Sequence, residues 1–589
     1  MRNNNYKSYL IKIAVLKVTT LLVQITGLLL LSSAATAQLT QNITIGNAKA
    51  LGLANAVTAD PPGIDSIHFN PAGLAKLKGR QLLLKVFGGH MDITGEIGES
   101  EVPLDIKLAY CLVDETCDSS DPNEAIETWE DNVGSDKGVS GESSSVEGPS
   151  VMIPFEGLTE TPLLLMTMGG ASYEDPNTGW TFATTVYTPL AIGYSRASSE
   201  RRTLYNSNGE DVGVSERVNG DPGEVQGQQV AISRITYFSP SIGFQLTDDF
   251  AIGASIGFSW HGLGLVTDFR APLYTAAFLG ELESDLNASS IEALNDALHV
   301  INPYDYIGEL SLEMEDALSL SFNIGFLWEP AEWLAFGLVY QSEAKSEMSG
   351  DFSMEYTDVF LKTASGLSEL GIDTLLVAAT GDEPLNIEKT ESGKVKSTQI
   401  LPAHISIGTS IKLFPDLKVN LDLKWTEYST WDTLDFEFSK PVDFLTFASI
   451  VNYLAGLDDA DSTELRIHRK YQDTTSWAVG LEYQWNDRLS LRTGYEPRGS
   501  AIPKESIDLL VPLTDTNLYS LGFSYQLDRF SRIDMSIAYL ESNSYAGPGE
   551  SQNANSDIEG NVVYNPYAWS SVETAVEAYL FALSYEDVF

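Results

Sequence analysis

Over residues 477–485 the chain alternates with a period of two: Trp477, Val479, Leu481, Tyr483 and Trp485 share one parity, Ala478, Gly480, Glu482 and Gln484 the other. The period recurs where Leu320, Phe322, Ile324, Phe326 and Trp328 alternate with Ser321, Asn323 and Gly325, and again over 489–495 and 519–525. Successive side chains of a strand point to opposite faces, so each segment predicts a β-strand with one bulky face and one small or polar face. A soluble sandwich also alternates. Here the second face is Gly, Ser, Asn, Glu, Gln and Arg, which suits a wall with lipid outside and a polar lumen within. The pattern predicts an all-β fold, a transmembrane antiparallel β-barrel.

The connections agree. Tight polar turns such as Trp485-Asn486-Asp487-Arg488, Leu246-Thr247-Asp248-Asp249-Phe250, Glu329-Pro330-Ala331-Glu332 and Phe414-Pro415-Asp416 join strand pairs on one side. Trp485, Phe244, Phe250, Trp328, Trp333 and Phe414 flank them where an interfacial girdle would lie. The chain ends on Phe589 after an alternating Tyr579, Phe581, Leu583, Tyr585, the form of an outer-membrane assembly signal, which implies the barrel assembly machinery as a partner.

Composition narrows the class. The 589 residues carry 35 Lys+Arg against 82 Asp+Glu, a formal charge of −47, which excludes a nucleic-acid partner because phosphate contacts need a basic face. A mean hydropathy of −0.07, with no run beyond Ala37 near the ~18 apolar residues of a spanning helix, excludes a helical membrane bundle. Arg2, Lys7, Lys12 and Lys17 precede an apolar run over 18–31 and then Ala35-Thr36-Ala37, so residues 1–37 read as a signal peptide. Two cysteines exclude a disulfide scaffold and a Cys-rich metal site, and no metal or cofactor is expected.

Long connections on the other side, about 90–160, 271–310, 350–400 and 432–470, read as extracellular loops of the barrel, which spans 81–589. Residues 111–160 are acidic and hold Cys111 and Cys117, which in an oxidising compartment favour a small-loop disulfide over two free thiols. Apolar residues at helix spacing in 279–298, 359–379 and 443–457 predict loop helices that pack on one another or line a groove for a greasy ligand. Residues 38–80 differ from both classes. Small residues dominate 46–77, including Asn70-Pro71-Ala72, ahead of a first strand candidate at 81–87, so the segment reads as a plug, or hatch, inside the barrel. One strand candidate, 179–195, carries Pro189 in its middle. Proline lacks an N–H for the ladder, so a local break is expected there, tolerated in lipid only where it lines a cavity or opening.

Two rival classes are weak. Gly253-Ala254-Ser255-Ile256-Gly257 has nucleophile-elbow spacing, but Ile252, Ala254, Ile256, Phe258 and Trp260 alternate straight through it, so Ser255 lies along a strand wall and no enzyme is predicted. A general porin or surface adhesin built on a β-barrel is the alternative, and against the porin stands the plug, for which an open channel has no use.

The run from Gly46 through Asn47-Ala48-Lys49-Ala50-Leu51-Gly52 to Val57, followed by Phe69-Asn70-Pro71-Ala72-Gly73-Leu74-Ala75, resembles the N-terminal hatch of the outer-membrane long-chain fatty acid and aromatic hydrocarbon transporters. Blocks at 400–431 and 471–525 resemble the same family, in order. The resemblance implies a monomeric barrel of about 14 strands in a Gram-negative outer membrane, plugged by the hatch, passing long-chain fatty acids or other hydrophobic molecules by diffusion. It implies lumenal cations for a carboxylate, for which Arg270 and the Arg466, His468, Arg469 group are the candidates. The alternative for the second group is a solvated basic turn. It also implies an inward kink at Pro189 that opens the wall laterally, where a bulge that only re-aims the strand is the alternative.

Overall fold

The computed structural model describes residues 42–100, 102–111, 118, 120–132, 143–196, 200–205, 211–218, 223, 227–270, 306–369, 371, 374, 377, 384–455, 461–555 and 569–589. The expected signal peptide, residues 271–305 of the expected 271–310 loop and Cys117 lie outside them; Cys111, at the end of a helix, is disulfide-bonded.

The alternating segments form the strands. In chain order they are β1 (Arg80–Ser100), β2 (Ser143–Ile153), β3 (Gly157–Glu160), β4 (Leu164–Glu174), β5 (Thr181–Thr185), β6 (Tyr187–Arg196), β7 (Glu200–Tyr205), β8 (Asp211–Val218), β9 (Gln229–Phe238), β10 (Ser241–Thr247), β11 (Phe250–Arg270) and β12 (Tyr306–Ala331). There follow β13 (Leu334–Gln341), β14 (Ala344–Tyr356), β15 (Thr390–Leu401), β16 (His404–Phe414), β17 (Leu417–Thr426), β18 (Thr433–Phe438), β19 (Glu464–His468), β20 (Thr474–Gln484), β21 (Leu489–Arg498), β22 (Thr516–Gln526), β23 (Ser531–Ala546) and β24 (Ser570–Val588). Several are halves of one interrupted stave, such as β5 with β6 and β9 with β10, and the wall counts 14 antiparallel staves. It closes where β24 pairs with β1, from Gln81 opposite Val588 to Ser100 opposite Ser570. β7 and β8 pair only with each other.

The bulky face is the outer one. Leu320, Phe322, Ile324, Phe326 and Trp328 of β12 are all exposed, while Ser319 and Asn323 between them are buried in the lumen. Near the tight turns Trp180 stacks on Phe244 at 4.6 Å and Trp328 on Phe336 at 5.5 Å. A second ring runs through Trp477, Tyr495, Tyr519, Tyr539 and Tyr579, with neighbouring centroids 5.2–6.5 Å apart. Two aromatic belts on one outer face mark the two edges of the lipid layer.

The long connections carry order of their own. β1 runs on to Ser100, α-helices occupy Leu104–Cys111 and Pro122–Asn132, and β2 and β3 fall inside the stretch read as an acidic loop. The helices expected near 359–379 and 443–457 occur as Asp358–Glu369 and Asp443–Ala455, and their apolar faces pack together, Phe360 on Phe447 at 5.3 Å.

Residues 42–77 lie inside the barrel. Short helices at Ala48–Gly52 and Ser66–Phe69 and 3-10 turns at Gly63–Asp65 and Pro71–Lys76 are almost wholly buried. They fit because lumen-facing wall positions are small. A Cβ on Gly253 would sit 2.1 Å from the Pro71 carbonyl oxygen, and one on Gly325 2.0 Å from Asn70 Oδ1. Asn70 Nδ2 donates to the Thr58 and Phe326 carbonyls, and its Oδ1 accepts the Ala72 N–H that begins the turn. Gly253→Val should therefore leave the barrel assembled, by heat-modifiable electrophoretic mobility, while making residues 42–77 cleavable by added protease; unchanged protection would show that the seat is not needed.

Candidate functional site

Ionic contacts bind the N-terminal segment to the wall. Asp65 Oδ1 meets Lys85 Nζ of β1 at 2.8 Å, with both side chains fully buried, and Asp65 Oδ2 accepts from Asn47 Nδ2 at 2.8 Å. Asp422 of β17 accepts the N–H groups of Val57 and Thr58 and the Thr58 hydroxyl, at 2.7–2.9 Å. Asp60 lies between Lys49 and Lys418, and from Lys418 the ion pairs continue through Glu482, Arg492, Asp534 and Arg532 to Glu586. Four cations and four anions alternate in that chain, so each desolvated charge faces an opposite one.

The wall is interrupted at a seam between β4 and the β5–β6 stave. The Val186 N–H reaches the Gly169 carbonyl at 2.9 Å, and at the far end Pro149 of β2 pairs with Tyr194. Between these points residues 164–168 pair only with β1, and residues 188–193 only with β9. The β6–β9 register also slips between Tyr187 and Leu190, placing Thr188 and Pro189 opposite the single residue Ile235. Lipid cannot satisfy freed groups, and side chains meet those of Thr185 and Thr188. The Ser239 hydroxyl donates to the Thr185 carbonyl and accepts the Thr185 N–H, at 2.6 and 3.0 Å, and Thr44 of the N-terminal segment donates to the Thr188 carbonyl at 2.8 Å.

On the lumen side of this seam a cavity is lined by His68, Tyr187, Pro189, Arg234, Asn323 and Trp431 among others. Arg234 is 5% exposed; its Nη2 donates to Ser321 Oγ at 3.3 Å, its Nε has no partner, and among the described residues no carboxylate lies within ion-pair distance. His261, opposite Arg234 in the ladder, is buried with both ring nitrogens unpartnered. A desolvated guanidinium without a counter-ion has unused affinity for an anion.

A family model described as outer membrane protein transport protein (OMPP1/FadL/TodX) matches residues 28–589. The chain belongs to that family. As an OMPP1/FadL/TodX protein it is an outer-membrane transport barrel, as the resemblance read from the sequence implied. The Salmonella typhi long-chain fatty acid transport protein is 23% identical over 349 residues, covering 52% of this chain and 71% of its own length. The protein of the same name from Escherichia coli K12 is 21% identical over 223 residues, 38% of this chain and 42% of its own. The fold matches a Pseudomonas aeruginosa FadL homologue with a TM-score of 0.59 at 14% identity, over 95% of this chain and all of that one. It matches the P. putida toluene transporter TodX with a TM-score of 0.52 at 13% identity, over 93% and 99% of the two chains.

Within this OMPP1/FadL/TodX barrel the cations singled out in the sequence are dispersed. Arg466 and His468 are exposed on β19, and Arg466 pairs with Asp435 of β18 at 3.0 Å and with Glu464, as the solvated-turn alternative has it. Arg469 is buried, but Asp508 holds its charge and Tyr471 Oη accepts from its Nη2 at 2.6 Å. Arg270 ends β11, and its side chain lies outside the described residues. Ser255 of the elbow-like spacing donates to the Ile67 carbonyl at 3.0 Å, a seat for the N-terminal segment. Sequence reading missed Arg234. Its signal is parity: it shares a face with Val230 and Ile232, an isolated cation on a lumenal strand face six residues before Pro240.

Removing one partner of the Lys85–Asp65 pair strands a buried charge. Lys85→Met should cost about 3–5 kcal/mol in the urea unfolding of vesicle-reconstituted protein, and Lys85→Met with Asp65→Leu should recover most of it. A single variant as stable as the parent would show the pair to be dispensable.

Proposed function

We propose that this protein takes up long-chain fatty acids across the outer membrane by passive diffusion. The acid is captured at the outer loops, where Arg270 is a first cation. Its carboxylate then settles on Arg234 in the lumen while the N-terminal segment acts as a hatch, and it leaves sideways through the seam between β4 and β6. The observation that carries this reading is the buried Arg234, with no carboxylate in ion-pair contact among the described residues, beside an unpaired stretch of the wall. A neutral hydrocarbon has no use for that cation, so the buried charge favours an anionic amphiphile over the aromatic solutes of the toluene transporters. The names of the curated relatives support the same class. A hatch that fills the lumen with more than 30 buried or half-buried residues argues against an open porin.

The carboxylate–guanidinium contact is a charge-assisted hydrogen bond worth about 1.5–3 kcal/mol. Arg234→Met should accordingly weaken binding of a long-chain fatty acid roughly tenfold or more, leave binding of its methyl ester unchanged, and be partly rescued by Arg234→Lys. Equal losses for acid and ester would remove the headgroup role.

Pro189→Val restores a ladder donor at the slipped register. Uptake of a fatty acid by cells should slow with surface abundance unchanged. Uptake at the parental rate through a wall sealed at 187–191 would rule out the sideways route.

A further inference from the structure

The first half of β2 bridges β1 and β6 within the wall, and the hairpin that its second half forms with β3 stands apart from the barrel ladder. β2 pairs with β1 over residues 143–145, crosses to β6 over Val146–Pro149, and then folds back on β3 with Ser150 opposite Glu160 and Ile153 opposite Gly157. Strand parity fixes the side on which it lies. Leu190, Arg234 and His261 align across β6, β9 and β11 and face the lumen, so Ala191, Gly193, Ser233, Gly262 and Gly264 face outward. Those outward positions are the ones the hairpin touches. The Met152 N–H donates to Ser233 Oγ at 3.2 Å, and Met152 packs with Ala231 and Trp260 in a buried apolar cluster joined by Leu158. A Cβ on Gly193 would lie 2.3 Å from the Ser150 carbonyl oxygen, and one on Gly264 3.0 Å from Leu158 Cβ. The hairpin thus rests on the outside of the wall, on positions where glycine leaves it room.

Beneath its base is an apolar cavity lined from both sides of the wall. Ile43 and Phe87 belong to the lumen, Leu164 to the unpaired edge of β4, Ala191 to the outer face of β6, and Val151 to the hairpin. The ladder that would separate these groups is the one missing between β4 and β6. His90 is the one ionisable side chain in the lining, so the space suits a hydrocarbon and not a carboxylate. We propose that this cavity is an exit vestibule for an alkyl chain, roofed by the β2–β3 hairpin, and that the hairpin lifts from its glycine seat as the chain passes into the bilayer. The proposal rests on the sideways exit argued above. It adds a binding site within the gap in the wall and a moving part above it.

A reversible lock tests it. In Leu158→Cys with Gly264→Cys the two Cβ atoms start close to the ~3.5–4.5 Å spacing of a disulfide, pinning the roof to β11. Folding is checked by heat-modifiable mobility, and Leu158→Cys alone serves as the control. Ala191→Trp, which fills the vestibule itself, is measured alongside. Oxidised, locked protein should take up oleate at least about tenfold more slowly than the same protein after reduction, and Ala191→Trp should be slow in both states. If locked protein runs at the reduced rate while Ala191→Trp is slow, the roof does not move and the proposal falls, with the sideways route intact. If both run at the parental rate, the sideways route falls and the vestibule with it.

Discussion

Everything in this molecule follows from the absence of water in the bilayer. A wall of strands in lipid must satisfy every N–H and C=O from within, which the closed ladder from β1 round to β24 does. Closure has a second effect: it creates a lumen, and an empty lumen would leak. The small residues on the inner face and the N-terminal segment are complementary answers to that problem. Gly253 and Gly325 leave space for backbone, and Thr58 and Asp65 supply polar groups that pair with Asp422 and Lys85 of the inner face.

Against that rule, the seam beside β6 is informative because backbone groups at its inner end are met by side chains. Ser239 serves both backbone groups of Thr185, and Thr44 serves Thr188. A fold that had merely tolerated a proline would not place side chains from two other elements at the gap. The Thr44 contact also joins the seam to the segment inside the barrel, so a displacement of one end of that segment frees a carbonyl on the edge of the opening.

The wall was legible in the sequence because one physical period governs it. Alternation of bulk with Gly, Ser and Asn marks both strand and face, and the aromatic turns mark the lipid edge. The inner segment was legible from its small residues and from Asn70-Pro71-Ala72, whose cap geometry is local. Pro189 marked the seam within a few residues, though the strand parts first at Val186 and the missing ladder is on the β4 side. The cations were read less well. Arg466 stood out through its basic neighbours, yet Asp435, which holds it, comes from another strand. Arg234 is distinctive because Asp316 of β12 acts on it only at longer range and no carboxylate among the described residues touches it, which no local pattern records. The β2–β3 hairpin was hidden for a similar reason: its acidic surroundings read as a loop, and only cross-strand register shows which side of the wall it lies on.

The inner segment is made first and can dock fully only late. Ala48 bonds Ser584 and Ser536, and Val57 bonds Asp422, contacts that span 536, 488 and 365 residues of sequence. Partners that distant exist only once the last staves are in place, and contacts of such separation form slowly. The Lys85 contact of Asp65, only 20 residues away in sequence, can form early, and the seat is complete only when the last staves are in place. Two charges of the segment, Asp60 and Asp65, meet opposite charges on the wall, Lys418 and Lys85, which draw the segment in.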